Sequence, residues 1–353
     1  MITFVPGPSK VYDALPSYLQ DAYTQGILSA NHRSAVFMDL YRDTESLFRE
    51  KLQMPADFTL LFTSSATESW EIISQSLVEK ASYHLYSGSF GKKWLEYAQY
   101  ILPATRGLQL PAHQVIPVDQ LHLGPEFDLI AVTQNETSNA SQVPMDVLKA
   151  LGERYPEKMI SVDTTSSMGG IVLDFTLADV WYASVQKCFG LPAGLGILLL
   201  SAQAKEKVAR KGERGRYNSL SFMLENAESY QTHYTPNVLG IYLLHRVLQD
   251  MDPIGQVDAR LRGRMARLEE VIESSPVFEL LVENPATRST TVAAIAAEEQ
   301  VISAVKKAAE REGISLGGGY GPLKSSSFRV ANFPAITDTE FGKMLDFLAS
   351  YRP

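Results

Sequence analysis

A chain of 353 residues, 45% apolar and 20% charged, is long enough to bury a large core and a second smaller one, and its composition excludes a disordered polypeptide. The formal net charge of −8 argues against nucleic acid as the natural partner, because tracking a phosphate backbone takes a basic excess. A single cysteine cannot close an internal disulfide and fits a reducing cytosol.

The opening MITFVPGPSKVYDALP lacks a charged-then-apolar leader pattern, and the longest apolar runs are strand-sized, so the sequence predicts a cytoplasmic protein without a membrane partner. Apolar residues then recur along one face from Phe37 to Leu52, a helical period. FTLLF (58–62) reads as a short buried strand. TSSATESWEIISQSLV follows as a helix in which Ser65 and Glu68 have capping-box spacing. DLIAVT (128–133), MISVD (159–163), DVWYAS (179–184) and LGILLL (195–200) are candidate central strands, with a helical pattern at 144–154 between the first two. Buried runs alternating with helices predict an α/β protein, its large and mostly parallel sheet covered by helices on both faces. From about 250 the pattern changes to a helix (256–273), a strand-like run (289–297), a helix (299–312), the cluster GGGYGP and a final helix (337–350). That order suits a small α+β domain, giving an expected division into 16–250 and 1–15 with 251–353.

In parallel α/β sheets ligands collect at the carboxyl ends of the strands. MISVD ends in Asp163, and DVWYASVQK ends in Gln186 and Lys187. The neighbours of Lys187 (Tyr182, Val185, Phe189, Leu191) promise little water, so its amine either snorkels past them or is placed to react. A carboxylate and an amine at one rim suit pyridoxal 5'-phosphate: the lysine condenses with the aldehyde and the aspartate keeps the pyridine nitrogen protonated. Taken singly, each has a plainer role as a structural lysine or a turn aspartate. TSSAT either points the N–H groups of Ala66, Thr67 and Glu68 at an anion, helped by the helix dipole, or serves only to let Ser65 cap its helix. In SGSFGKKW, Phe90 either lies on a cofactor ring or packs in the core. TQNETSN offers the Thr137 hydroxyl near the same rim. No metal site is expected.

The ordered set PGPS, His32–Arg33, the Ser/Thr-rich helix start, NET, VDTTSSMGG, SVQK, HYTPN and GGGYG…FRV resembles the class V aminotransferases of pyridoxal-phosphate fold type I over nearly the whole chain. Within that class it is most similar to the phosphoserine aminotransferases. The resemblance implies that Lys187 forms the internal aldimine, that Asp163 partners the pyridine nitrogen and that Phe90 stacks on the ring. It implies that Thr137 contacts the phenolic oxygen, that Gln186 binds the phosphate, and that Ala66, Thr67 and Glu68 occupy the phosphate cradle. Tyr234 and Thr235 would complete that cradle from a neighbouring subunit, which implies a homodimer with shared active sites. Arg329 would pair with the substrate's α-carboxylate, and His32 and Arg33 would receive its distal anion across the dimer. The implied reaction is transfer of the amino group of glutamate to 3-phosphohydroxypyruvate, giving phosphoserine and 2-oxoglutarate in serine biosynthesis.

One departure stands out: Glu68 sits where phosphoserine aminotransferases carry an arginine. STTVAAIAA and GGGYGPLKSSSFRV also resemble the serine– or alanine–glyoxylate and –pyruvate branch, the alternative substrate class. A cysteine desulfurase would need a mobile nucleophilic cysteine, whereas Cys188 is fixed beside Lys187. A degenerate binding protein would not be expected to keep Lys187, Asp163 and Arg329 together. GGGYG lies too late, after a helix, to be a dinucleotide fingerprint.

Overall fold

Seven strands form the main sheet of the computed structural model, which describes residues 1–352. They are β1 (Thr59–Thr63), β2 (Ser82–Tyr86), β3 (Arg106–Gln109), β4 (Leu129–Thr133), β5 (Met159–Asp163), β6 (Val180–Ser184) and β7 (Gly196–Leu200). Their spatial order is β1-β7-β6-β5-β4-β2-β3. β7 alone is antiparallel to its neighbours, β6 and β1, so the other six point the same way. Every residue of β4, β5, β6 and β7 is buried. A strand covered on both faces reads as an unbroken apolar run, which is why these four are visible in the sequence.

β2 and β3 are not among the expected strands. Ser82 and His84 put polar groups in buried positions of β2, where Ser82 Oγ meets His84 Nε2 at 3.0 Å and Thr105 Oγ1 at 3.2 Å. β3 is an edge strand with three of its four residues exposed.

A second sheet of five strands takes the order Ile2–Phe4, Ile314–Gly318, Ser327–Ala331, Val292–Ala296, Glu279–Leu280. The glycine cluster of the sequence thus begins as the end of one strand and continues as the loop into the next. Two apolar cores result. The larger runs from Leu15 to Leu261 under the main sheet, and the smaller gathers Phe4 with residues from Met265 to Leu348. The helix Ile254–Glu273 belongs to both, giving Ile254, Val257 and Leu261 to one and Met265, Leu268 and Ile272 to the other. Among the described residues no helix is long and apolar enough to cross a membrane, and no His/Cys/Asp/Glu group is placed to hold a metal.

Candidate active site

The carboxyl ends of β1, β2, β4, β5 and β6 share one edge, and the segments leaving them enclose a cavity of about 360 Å³. That volume falls in the range of small-cofactor sites. Lys187 leaves β6 into it and is only 7% exposed. Its Nζ donates to Thr137 Oγ1 at 2.7 Å and lies 5.2 Å from the centre of the Phe90 ring. Gly7, at φ 148°, closes over the stem: a Cβ there would meet Lys187 Cε at 3.1 Å. Burial pulls the amine down to about 8, against the opposing pull of Asp163 and Glu136. An amine so placed has an appreciable neutral, nucleophilic fraction near neutral pH.

Asp163 ends β5 and is fully enclosed. Burial raises its carboxyl above the ordinary range, while hydrogen bonding at Thr165 and the Lys187 charge pull it back. Its Oδ1 accepts the Thr165 N–H at 2.8 Å. The Tyr182 hydroxyl, itself receiving Trp70 Nε1–H at 2.8 Å, lies against the same carboxylate.

The cavity fits a polar aromatic group. Two of its lining residues carry buried atoms with no protein partner, Thr165 Oγ1 and Asn135 Oδ1, and buried polar atoms are rarely left so unless something meets them. The anion end differs from expectation. Of the three N–H groups predicted to face an anion, that of Ala66 donates to Ser184 Oγ at 2.7 Å and that of Glu68 to Ser65 Oγ at 3.2 Å. An anion at this helix start would therefore meet the Ser184 hydroxyl and Thr67, both of which line the cavity. Only half of the expected capping box forms, because the Glu68 carboxylate bypasses Ser65 and accepts from Ser64 N at 2.7 Å and Ser64 Oγ at 2.8 Å. It also receives the Tyr217 hydroxyl at 3.1 Å. Glu68 is thus folded back onto its own helix.

Phe90 occupies the first turn of the helix Ser89–Ile101, whose N-cap, Gly88, has no capping side chain. The missing cap comes from Glu136, which the sequence reading passed over. Glu136 Oε2 accepts the N–H groups of Phe90 and Gly91 at 3.0 and 3.1 Å, and Oε1 accepts Ser138 N and Oγ at 3.0 and 2.6 Å. A carboxylate at the positive end of a helix is favourable, and here it ties the ring-bearing turn to the loop that carries Thr137. Gly88 is required by close approach: a Cβ would lie 2.5 Å from both Glu136 Cγ and Ser138 Oγ. The available signal was an acid three residues after a central strand, together with a distant helix start lacking its own cap.

Arg329 reaches the same loop from the second sheet, donating from Nε to the Gly318 carbonyl and from Nη1 to the Thr137 carbonyl, both at 2.8 Å. Gln186 lines the cavity with Lys187. Arg329 is not among the residues that line it, and the remaining predicted residues also stand outside it. Arg33 is exposed beside His32, with Nε 3.4 Å from its Nε2. Tyr234 is half-buried, its ring 4.8 Å from that of His233, and Thr235 is exposed. Cys188 faces away, donating from Sγ to the Ser166 carbonyl at 3.3 Å within the smaller core. That is no posture for a desulfurase nucleophile.

The Aminotransferase class-V family model matches residues 6–326. The chain is a class V aminotransferase. A phosphoserine aminotransferase of Rhodococcus opacus (strain B4) is 28% identical over 361 residues, covering 98% of this chain and 94% of that protein. The crystal structure of a phosphoserine aminotransferase from Cytophaga hutchinsonii superposes with a TM-score of 0.94 at 32% identity, covering 100% of this chain and 99% of that one. An alanine–glyoxylate aminotransferase from Nostoc sp. shares the fold, with a TM-score of 0.84 at 23% identity over 99% of this chain and 94% of that one. Membership of the class makes the protein a transaminase and implies dependence on pyridoxal phosphate. In this aminotransferase the buried Lys187 amine and the Asp163 carboxylate line the same cavity.

Proposed function

We propose that the protein is a pyridoxal-phosphate-dependent phosphoserine:2-oxoglutarate aminotransferase working as a homodimer. One observation carries the cofactor assignment: a dry Lys187 amine, held by Thr137 at 2.7 Å, shares a cavity with the enclosed carboxylate of Asp163 and with unpartnered polar atoms. Support for the substrate comes from the Cytophaga phosphoserine aminotransferase, similar at 32% identity from end to end.

Lys187, Asp163 and Phe90 would hold the ring, Thr137, Asn135 and Thr165 its polar edge, and Ser184, Thr67 and Gln186 its phosphate. When bound, pyridoxal phosphate supplies an aldehyde that condenses with amines and a ring that accepts the electron pair left at a substrate's α-carbon. Asp163 would face the ring nitrogen and favour its protonated form, burial making its carboxylate a strong electrostatic partner. With the cofactor bound, Lys187 Nζ would be placed to take the proton from a substrate's α-carbon as general base and to give it up again as general acid. Its lowered basicity suits both halves of that task. Phe90 excludes water from one face, and Arg329 offers a guanidinium for the α-carboxylate.

The experiment adds phosphoserine, glutamate, serine and alanine separately to the purified holoenzyme and follows the visible band of the bound cofactor. Phosphoserine and glutamate should bleach it fastest. If only alanine or serine does so, the substrate assignment falls to the serine/alanine–glyoxylate class. For the dimer, His32, Arg33, Tyr234 and Thr235 lie outside the cavity of their own chain, as residues donated to a neighbour would. Mixing Lys187→Ala with Arg33→Ala subunits should then restore activity through hybrids carrying one intact site. No restoration would place Arg33 in its own chain's site or in none.

A further inference from the structure

Lining the mouth of the cavity, one turn beyond Phe90, is Lys93. Among the described residues lining the cavity the cations are Lys93 and Lys187, and the Lys187 amine is committed to the cofactor. The helix start at Ala66 adds no cation, since Glu68 is tied to Ser64 and Tyr217. Lys93 is exposed yet directed: its Nζ donates to Tyr320 Oη at 2.9 Å and stands 5.4 Å from the Tyr320 ring centre and 5.7 Å from that of Phe90. The nearby carboxylate, Glu96, lies 3.7 Å from Lys92 instead. Tyr320 packs on Phe90 at 5.1 Å and carries the Arg329 guanidinium 5.5 Å from its ring centre. One tyrosine thus stands against two cations, Arg329 and Lys93.

We propose that Lys93, positioned by Tyr320, is a further specificity-determining cation that meets the second acidic group of the substrate while Arg329 takes the α-carboxylate. The chemistry it selects is an amino or oxo acid with a distal phosphate or carboxylate, in preference to one with a neutral side chain. This rests on the aminotransferase and dimer assignments above and adds, to the His32–Arg33 pair expected from a neighbouring subunit, a cation of the chain that holds the cofactor. The Tyr320 hydrogen bond favours the charged form of the amine, so the cation persists through the working pH range. An ammonium with two donors left for a ligand anion makes charge-assisted bonds that a neutral side chain cannot replace.

The test uses holoenzyme and compares Lys93→Met, Lys93→Arg and Tyr320→Phe with wild type. It measures half-reaction kcat/KM for glutamate, phosphoserine and alanine, and the dissociation constants of glutarate and butyrate as competitors. Lys93→Met should lower the glutamate-to-alanine ratio, and the glutarate-to-butyrate binding preference, by about ten-fold or more. Lys93→Arg should restore most of both, and Tyr320→Phe should lose part. Ratios that do not move, or substrates that fall together, overturn the assignment. So does a wild-type enzyme that prefers no diacid in either measurement. A wild type that favours glutamate but ignores phosphoserine would instead sink the phosphoserine assignment and leave Lys93 as a carboxylate receptor.

Discussion

Removing the buried Lys187 amine should make the cofactor-free protein more stable. The Lys187 amine falls from 10.5 to about 8 because it is buried, which at about 1.4 kcal/mol per tenfold in proton affinity costs the folded state about 3 kcal/mol at neutral pH. Lys187→Met keeps most of the apolar stem and deletes the charge. It also removes the donor to Thr137 Oγ1, worth about 1 kcal/mol, so the net gain is about 2 kcal/mol. The pH dependence follows from the proton count. The unfolded lysine keeps its proton up to 10.5 while the folded one releases it near 8, so between these values the unfolded state binds more protons and wild-type stability rises with pH. The advantage of the variant is therefore full below pH 8 and shrinks toward pH 10. Urea unfolding of both cofactor-free proteins, at pH 7 and pH 9.5 and at one matched protein concentration, measures it. A variant no more stable than wild type at pH 7, or an advantage unchanged at pH 9.5, would refute an amine buried at a cost.

Three other outcomes are expected. Asp163→Asn should lower kcat by about 10²–10⁴ while the fold survives, because an amide cannot hold a proton on the ring nitrogen; activity within a few-fold of wild type would remove Asp163 from the chemistry. Gly88→Ala, whose methyl would sit 2.5 Å from Glu136 Cγ, should cost about 1–3 kcal/mol of stability in denaturant titrations and loosen cofactor binding by shifting the Phe90 turn. Cys188→Ala should cost about 1–2 kcal/mol by emptying a small volume in the smaller core, with transamination retained in steady-state assays; loss of activity in a well-folded variant would give the thiol a part it is not assigned.

The fold was legible where burial is two-sided. β4 to β7 announce themselves as apolar runs, and their ends gave Asp163 and Lys187 from position alone. Burial with polar residues hid β2, since Ser82 and His84 satisfy each other in ways no sequence pattern displays. The site was legible only as far as local chemistry reaches. Thr137 was a candidate from its loop after a predicted strand and Phe90 from its place between two glycines, whereas Arg329 was a candidate from family resemblance alone. Contacts between distant segments were not readable. Lys93 meets Tyr320 across 227 positions, and Arg329 meets Thr137 across 192. Glu136 escaped for a different reason: its work is to cap a helix that starts 47 residues earlier, at Ser89. No linker marks a break near 250 because the helix Ile254–Glu273 serves both cores.

The antiparallel β7 has a consequence for biogenesis. β1 has no other neighbour in the main sheet, so on the ribosome the segment 59–63 stays an unsatisfied apolar strand until residues 196–200 have emerged. Its closure spans well over a hundred residues, and such long-range pairing forms late and slowly. The turn from β1 into the helix Ala66–Ser76 is therefore among the last parts of the pocket to be fastened, and a nascent chain that stalls before β7 has nowhere to seat an anion.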